Sequence, residues 1–184
     1  MPEPHRPTPE LRLARLEEAD AIDALMKAST RDLFPGWYEP EQTEAAITYI
    51  ASVDRTLIRD GTYFVAEADG ELVACGGWSR RDKMYAGAGD AAGDGRLLDP
   101  AEEPARIRAM FVRSDWTRRG LGRRILEACE AAARAEGFSK LVLGATLSGR
   151  ALYEAYGFRA TEDEVVTTPN GVDIAAVMME MALD

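Results

Sequence analysis

The sequence predicts a single α/β domain in which about seven β-strands alternate with about four helices. The first reason is size, because 184 residues with 46% hydrophobic content suffice for one domain with a real core. The second is a strand, a basic turn and a long helix that follow one another over residues 106–137. The third is a pair of strand–turn–strand patterns, over residues 62–78 and 159–183, that predict β-hairpins on either side of this unit.

The N-terminal part predicts a flexible lead-in, one strand and two helices. Several prolines within residues 1–10 favour an extended lead-in, so the domain proper is expected over residues 11–184. Leu11 and Leu13 alternate with their neighbours as in a strand. Residues 17–29 then form an amphipathic helix with acidic residues early, and Pro40 opens a second helix that ends near residue 51.

The next part predicts a hairpin followed by a long irregular segment. Residues 62–68 and 72–78 are apolar strand patterns joined by Asp69-Gly70, a tight-turn dipeptide. Residues 80–104 are rich in glycine and aspartate and lack periodicity, which predicts a loop insertion between the third and fourth strands. Two interpretations of this insertion stay open: it is a functional lid, or it is a flexible, solvent-exposed loop.

The strand–turn–helix unit is the centre of the predicted domain. Residues 106–112 alternate polar and apolar and then close on an apolar run, as in a strand that becomes buried. From Leu121 onward, apolar and small residues recur at helical spacing with charges between them. Gly137 is a natural stop for this helix.

The C-terminal part predicts a strand, a short helix and a closing hairpin. Residues 140–145 form a short buried strand, and residues 148–155 form a short helix with Ser148 as its candidate cap. Residues 159–166 and 174–183 are the last two strands, joined by an Asn-Gly turn.

The turn before the long helix has the chemistry of an anion site. A helix N-terminus offers unpaired backbone N–H groups, and Gly120 and Gly122 lack the Cβ atoms that would keep a ligand away. Positive charge is added by Arg118, Arg119, Arg123 and Arg124. A phosphate or pyrophosphate fits best, and a solvated basic turn is the alternative. The NTPase loop is excluded because its lysine motif is missing, and the dinucleotide fingerprint because Ile125 replaces its third glycine.

Two motifs resemble those of the GNAT superfamily of N-acetyltransferases. Val112 followed by Arg118-Arg119-Gly120-Leu121-Gly122 and a helix is similar to the family's acetyl-CoA loop, Gln/Arg-x-x-Gly-x-Gly/Ala after a strand. The sequence departs from that loop at its first position, which is Thr117. The stretch from Tyr153 to Phe158 resembles the second motif, Tyr-x-x-x-Gly-Phe, in the expected order and spacing.

The resemblance implies a fold and a co-substrate. The fold is one mixed, mostly antiparallel sheet of about seven strands with about four helices, splayed between the fourth and fifth strands. Acetyl-CoA is the implied co-substrate, its pantetheine arm pairing with the backbone of Met110 and Val112. Its thioester oxygen would face an N–H near Met110 or Phe111. The loop residues implied in its binding are Arg118, Arg119, Gly120, Leu121, Gly122 and Arg123.

The same resemblance implies direct transfer of an acetyl group to a primary amine of a small molecule or peptide. Tyr153 matches the family position whose phenol protonates the leaving thiolate, and packing on the short helix is its alternative role. The general base is not identified. Glu67 and a water chain are the candidates, and Glu67 is equally well explained as a solvated strand charge.

The acceptor is less well specified by the sequence. Trp37, Tyr38 and Trp78 match regions that line the acceptor pocket in the family, and packed or exposed aromatics explain them as well. The acidic balance favours a cationic amine through steering, or serves solubility alone. Cys75 as an acyl-carrying nucleophile is the weaker alternative, because nothing basic is placed beside it.

Composition argues against several other functions. A net charge of −10 speaks against a general nucleic-acid surface. No apolar run reaches membrane-spanning length, and no apolar signal core suggests export. Cys75 and Cys129 are predicted to be buried reduced thiols, from which a cytoplasmic location is expected. His5 is the only histidine and lies in the lead-in, so no metal is expected. A homodimer stays open, and the alternatives to an enzyme are a non-catalytic acyl-CoA-binding regulatory module and an unrelated phosphate binder.

Overall fold

A computed structural model describes residues 6–85 and 95–184, whose centre is one mixed sheet of seven strands. The strands are β1 Glu10–Leu13, β2 Tyr63–Ala68, β3 Glu71–Ser79, β4 Ala105–Val112, β5 Lys140–Thr146, β6 Arg159–Thr167 and β7 Asp173–Ala182. Their order across the sheet is β1-β2-β3-β4-β5-β7-β6. Neighbouring strands are antiparallel except for β4 and β5, which are parallel, so the predicted fold class is confirmed.

The helices of the described residues are α1 Ala19–Leu33, α2 Pro40–Tyr49, α3 Arg55–Arg59, α4 Leu121–Ala135 and α5 Arg150–Tyr156. Helix α1 runs four residues further than the predicted end at Ser29. In this last part of the helix the buried Thr30 hydroxyl is satisfied because it donates to the Met26 carbonyl at 2.9 Å. Helix α3 was missed by the sequence analysis, since five residues are too few to show helical periodicity.

The helices cover the two faces of the sheet. Helix α4 buries Ile125 and Leu126 against Leu141 and neighbouring strand residues, and this side is called the α4 face. Helix α1 buries Ile22 and other residues against the opposite side, called the α1 face, where α3 also packs. The sheet is therefore enclosed by apolar contacts on both sides, and alternate residues of each strand point to different faces.

The parallel strands β4 and β5 separate soon after they meet. Only two residue pairs join them, Ala105 with Leu141 and Arg106 with Val142. Beyond this point β4 continues along β3, and β5 continues along β7. The predicted splay between the fourth and fifth strands is therefore present, and it leaves two facing backbone edges without a strand partner on that side.

Strand β4 also carries a bulge beside this gap. The pairing of β3 with β4 shifts register between Cys75 and Gly77, and Ala109 has a positive φ of 51°. Such a conformation costs a non-glycine residue about 1–2 kcal/mol. The buried Tyr63 supports it, because its hydroxyl donates to the Ala109 carbonyl oxygen at 2.7 Å. The strained backbone of Ala109 is therefore held in its conformation beside the gap between β4 and β5.

Some predictions fall outside residues 6–85 and 95–184. His5 and the first prolines of the lead-in are among them, as are Gly87, Gly89 and Gly93 of the insertion. The described end of the lead-in contacts the domain, since Arg6 Nη1 donates to the Asp115 carbonyl at 2.9 Å. Among the helices of the described residues, none combines the length and apolar character that a membrane span requires.

Gly77→Ala is expected to destabilise the protein by about 2 kcal/mol through overpacking. A Cβ at Gly77 would lie 2.3 Å from the Thr62 carbonyl oxygen and 2.7 Å from the Tyr63 ring, and this backbone cannot move aside cheaply. Urea unfolding measures the loss. Gly36→Ala is the control, because its Cβ meets nothing within 4 Å and only its φ of +95° is unfavourable. Equal losses in the two variants would contradict the packing argument.

Candidate active site

The gap between β4 and β5 holds a cavity of about 720 Å³. Its walls come from the free edges of these strands, the N-terminal turn of α4, helix α5, the end of α1, and Met84 and Tyr85 of the insertion. Because these elements lie on different faces of the sheet, the cavity connects the α4 face with the α1 face. A ligand seated in the strand gap would therefore be reachable from both sides.

The turn that enters α4, residues 118–123, forms one end of this cavity and is called the cradle. Arg118 and Gly120 have positive φ angles of 60° and 78°. Positive φ angles within a turn favour an arrangement in which neighbouring backbone N–H groups point to the same side. Within the described part of the chain, the backbone N–H groups of residues 118–123 have no protein acceptor. A Cβ at Gly120 would meet nothing within 4 Å, so the space in front of the turn is open. The cradle fits an anionic ligand.

The arginines of the turn have different surroundings. Arg118 and Arg123 line the cavity. Arg119 stacks on the Trp116 ring at 5.3 Å from its centroid, and Arg124 donates to the Pro9 carbonyl at 2.9 Å. Arg118 and Arg123 are thus the arginines of the turn that border the cavity, although Arg123 also donates to Glu127 Oε1 at 3.2 Å and lies over the Tyr156 ring. Arg119 and Arg124 brace the turn.

Gly122 has a packing role as well as a place in the cavity wall. A Cβ there would lie 2.7 Å from the Cδ2 atom of Leu152, so the absence of a side chain lets α4 approach α5. This approach brings Tyr153, the next residue on α5, to the same cavity. The sequence analysis gave Gly122 the role of admitting ligand oxygens, and close helix packing is the contact that the structure shows.

Tyr153 is buried, with 8% of its surface exposed, and lines the cavity. Its ring packs edge-on against Phe158, the last residue of the second motif, at 5.9 Å between centroids. Among the described residues, no group accepts from or donates to its hydroxyl. Burial, with a contribution from Cys129, raises the pKa of Tyr153, so the phenol stays protonated at physiological pH.

The predicted cap of α5 is wrong. The N-cap is Gly149, which has no side chain with which to cap the helix. The Ser148 hydroxyl lies 3.1 Å from that of Thr146. The Thr146 hydroxyl instead accepts from the Gly149 N–H at 3.2 Å, so the hydroxyls fasten the end of β5 to the start of α5. The start of α5, and with it the backbone of Tyr153, is therefore fixed relative to the gap between β4 and β5.

The edge of β4 supplies the wall between the two ends of the cavity. Met110, Phe111 and Val112 all line it. Met110 and Val112 pack with the core on the α4 face, and Phe111 packs with the core on the α1 face. The Val112 carbonyl accepts from the Ser29 hydroxyl of α1 at 2.7 Å, which ties the helix to the strand end.

A buried ion cluster, missed by the sequence analysis, lies beside the bulge. Arg108 of β4 is almost fully buried and donates to Asp54 Oδ2 at 3.1 Å, while Lys83 Nζ lies 3.6 Å from the same oxygen. Burial alone would raise the pKa of Asp54, but the positive charges of Arg108 and Lys83 outweigh it and lower that pKa. The cluster joins α3, β4 and the insertion in one wall of the cavity.

The α1 face of the cavity is lined by large apolar and aromatic side chains. They are Leu33, Phe34, Trp37, Ile50, Met84 and Tyr85. The Tyr85 hydroxyl donates to Glu164 Oε2 of β6 at 2.5 Å. A Cβ at Gly144 of β5 would lie 2.1 Å from the Tyr85 hydroxyl oxygen, so this hydroxyl occupies the space above that glycine.

Comparison with known families decides where this chain belongs. A model of the acetyltransferase (GNAT) family matches residues 22–158, well over half of the chain. The chain belongs to the GNAT family. The family resemblance found in the sequence is therefore confirmed, as is the predicted enzyme class, an N-acetyltransferase.

Solved structures show the same fold in other GNAT proteins. A GCN5-related N-acetyltransferase from Rhodopseudomonas palustris has a TM-score of 0.73 at 23% identity, covering 98% of this chain and 99% of its own. PaiA N-acetyltransferase from Thermoplasma acidophilum, in complex with coenzyme A, has a TM-score of 0.64 at 14% identity, with 96% and 99% covered. YncA from Salmonella typhimurium, with its cofactor acetyl-CoA, has a TM-score of 0.62 at 18% identity, with 97% and 95% covered. A comparison with curated protein sequences gave no match.

Two candidate residues in this GNAT chain are placed away from the cavity. Trp78 has 1% of its surface exposed and packs against Phe138, so the prediction that it lines an acceptor pocket is wrong. Glu67 does not line the cavity and accepts from Arg12 Nη2 at 2.5 Å, so the prediction of a general base there is wrong too. Its carboxylate is held in an ion pair and is not simply solvated.

Two further candidates have structural roles. Cys75 is fully buried, outside the cavity wall, and burial raises the pKa of its thiol to about 12, which leaves it a poor nucleophile. Tyr38 does not line the cavity, because its hydroxyl donates to the Ala175 carbonyl and accepts from the Leu147 N–H. Of the three predicted acceptor aromatics, Trp37 alone lines the cavity.

Proposed function

We propose that this GNAT protein transfers the acetyl group of acetyl-CoA directly to a primary amine of a small molecule or peptide. The observation that carries the proposal is the single cavity that joins the cradle, with its free N–H groups, to the buried phenol of Tyr153. The coenzyme A and acetyl-CoA in the PaiA and YncA structures support the choice of co-substrate.

The proposed seat of acetyl-CoA follows the length of the cavity. Its pyrophosphate would accept from the backbone N–H groups of the cradle (Arg118, Arg119, Gly120, Leu121, Gly122 and Arg123), with the Arg118 and Arg123 side chains adding charge. Its pantetheine arm would lie in the gap, against the β4 edge at Met110 and Val112, where no strand supplies partners. The bulge before Met110 would then place a backbone N–H, of Met110 or Phe111, at the thioester oxygen.

The proposed chemistry is a direct attack of the amine nitrogen on the thioester carbon. Negative charge that develops on the carbonyl oxygen would be stabilised by the N–H near the bulge. The carbon–sulfur bond then breaks, and Tyr153 donates its proton to the leaving thiolate. Burial disfavours a thiolate as well as a phenolate, so the two pKa values rise together and the transfer does not become steeply uphill.

The test is acetyl-CoA binding by titration calorimetry, followed by thiol release with a panel of primary amines. The proposal expects saturable binding and amine-dependent release of coenzyme A. Binding without release for any amine would favour the non-catalytic acyl-CoA-binding module. Absence of binding to acetyl-CoA and to longer acyl-CoA would remove the proposal altogether. Formation of a homodimer stays a prediction that light scattering can test.

A further inference from the structure

We infer that the acceptor is an amine with an aromatic or branched apolar body, and that it enters the cavity from the α1 face. This inference rests on the proposed function, because it names the substrate class of the same site. It is argued from the direction of the opening, from the side chains that line it, and from the charges that surround it.

The direction follows from where the co-substrate would be anchored. The cradle begins α4, and Tyr153 packs with the core on the α4 face. A co-substrate whose pyrophosphate is bound in the cradle would fill the gap from the α4 side. The remaining opening is on the α1 face, between the end of α1, Ile50 and the Met84–Tyr85 segment.

The side chains at this opening favour an apolar guest. Trp37 lies in the loop between α1 and α2, where it lines the cavity. Even so, 58% of its surface is exposed. Phe34 also lines the cavity, and its ring packs in a tilted arrangement against that of Tyr38 at 4.8 Å between centroids. Tyr38 is fixed by two hydrogen bonds. An exposed aromatic side chain above a rigid apolar wall is typical of a binding site for an aromatic or aliphatic group.

The charges at the cavity disfavour a second ammonium group on the acceptor. Over residues 6–85 and 95–184, the charged side chains that line the cavity are Arg108, Arg118 and Arg123. A diamine would bring one ammonium to the thioester and leave the other against apolar side chains. Glu164 does not line the cavity and accepts from Tyr85, so an ammonium placed there would lose water without direct contact with a carboxylate, which is unfavourable.

The inference is tested with primary alkylamines that have different bodies. Phenethylamine and isopentylamine are expected to exceed putrescine and ethanolamine at least tenfold in kcat/KM. Trp37→Ala is expected to raise the Michaelis constant for phenethylamine about tenfold and to leave acetyl-CoA affinity unchanged. Leu13→Ala removes a similarly exposed apolar side chain that does not line the cavity and serves as the matched control.

Faster turnover of putrescine than of either apolar amine would reject the apolar acceptor and leave the proposed function intact. No turnover of any amine, or failure of the wild type to bind acetyl-CoA, would instead remove the proposed function on which the inference rests.

A separate observation, the hydrogen bond between Tyr85 and Glu164, points to the missing proton acceptor. We propose that Tyr85 is a catalytic residue that takes the proton of the attacking amine, and that Glu164 receives the proton of Tyr85. The Tyr85 hydroxyl lies above Gly144 of β5. Tyr85, Gly144 and Met110 line the same cavity, so the hydroxyl is on the wall of the gap in which the thioester is expected.

The proton transfers balance without a further reactant. Once the amine nitrogen has bonded to the carbonyl carbon, its N–H bond breaks and the proton bonds to Tyr85 Oη. The Tyr85 O–H bond breaks at the same time, and that proton bonds to Glu164 Oε2. The nitrogen loses its positive charge, the carboxylate loses its negative charge, and Tyr85 stays neutral. Burial and the Glu164 carboxylate raise the pKa of Tyr85, which agrees with a tyrosine that relays a proton and does not ionise by itself.

Tyr85→Phe and Glu164→Gln are each expected to lower kcat about 100-fold for the best amine. Acetyl-CoA affinity and the Michaelis constant for the amine should stay within about twofold of the wild type, and the unfolding temperature within a few degrees. Because both residues serve one transfer, the double variant should lose no more than the single ones. Gly144→Ala, whose new Cβ displaces the Tyr85 hydroxyl, should reproduce the loss.

Wild-type kcat in Tyr85→Phe would overturn this second proposal, as would a double variant whose loss is the product of the single losses. Equal rises in the Michaelis constants for both substrates would also reject it, because they would show that the hydrogen bond only shapes the cavity. A wild type that turns over no amine would reject the proposed function itself, which this proposal requires.

Discussion

Gly120→Glu is expected to abolish measurable acetyl-CoA binding. Gly120 begins α4 with a φ of +78° and with open space where a side chain would extend. A glutamate there would place a carboxylate among the N–H groups that the pyrophosphate needs, and like charges would repel in a partly enclosed site. We expect affinity to fall at least 100-fold in titration calorimetry, with turnover lost in parallel.

Gly61→Glu is the matched control for this result. Gly61 has a φ of +71° and nothing within 4 Å of its added Cβ, so it carries similar backbone strain and the same change of charge. It does not line the cavity. Normal binding in Gly61→Glu together with lost binding in Gly120→Glu would assign the effect to the cradle. Undiminished affinity in Gly120→Glu would show that the pyrophosphate lies elsewhere.

Tyr153→Phe is expected to lower kcat by 100-fold or more while acetyl-CoA affinity stays unchanged, since general acid catalysis contributes about 10²–10⁴ in rate. The ring of Tyr153 packs against Phe158 in either variant, so the change removes the proton and keeps the packing. The pKa of Tyr153 is raised by burial. The acid form therefore persists to higher pH than an ordinary tyrosine allows, and wild-type kcat should not fall on the alkaline side below about pH 10.

Tyr156→Phe separates this role from a general effect of losing a hydroxyl. Tyr156 is one helical turn further along α5, donates to Glu130 and does not line the cavity. Its variant should keep wild-type kcat. Equal turnover in Tyr153→Phe and the wild type, measured by thiol release, would show that water or another group protonates the thiolate.

The sequence predicted the elements around the cradle better than those at the α1-face end of the cavity. The strand over residues 106–112, the turn with Gly120 and the helix from Leu121 are adjacent in the chain, so their periodicity and spacing could be seen directly. Trp78 was misplaced because an aromatic residue at the end of a strand has the same pattern in a core and in a pocket. Ser148 was misplaced because a hydroxyl near a helix start can bond to another side chain instead.

The acceptor end depends on contacts between distant parts of the chain. Tyr85 and Glu164 are 79 residues apart, and Arg108 and Asp54 are 54 apart. Neither pair leaves a local pattern, since each side chain alone looks like an ordinary strand or loop residue. The strand order across the sheet brings them to the gap.

The sequence by itself determined the seven strands, the glycine-containing turn before α4 and the family, because local periodicity and motif spacing carry that information. Only the tertiary structure decided at which residues β4 and β5 part, that Gly122 serves helix packing, and which aromatic residues face the opening. The physical reason is that a site between strands is formed by side chains from several elements, and their meeting depends on sheet pairing and burial over the whole domain.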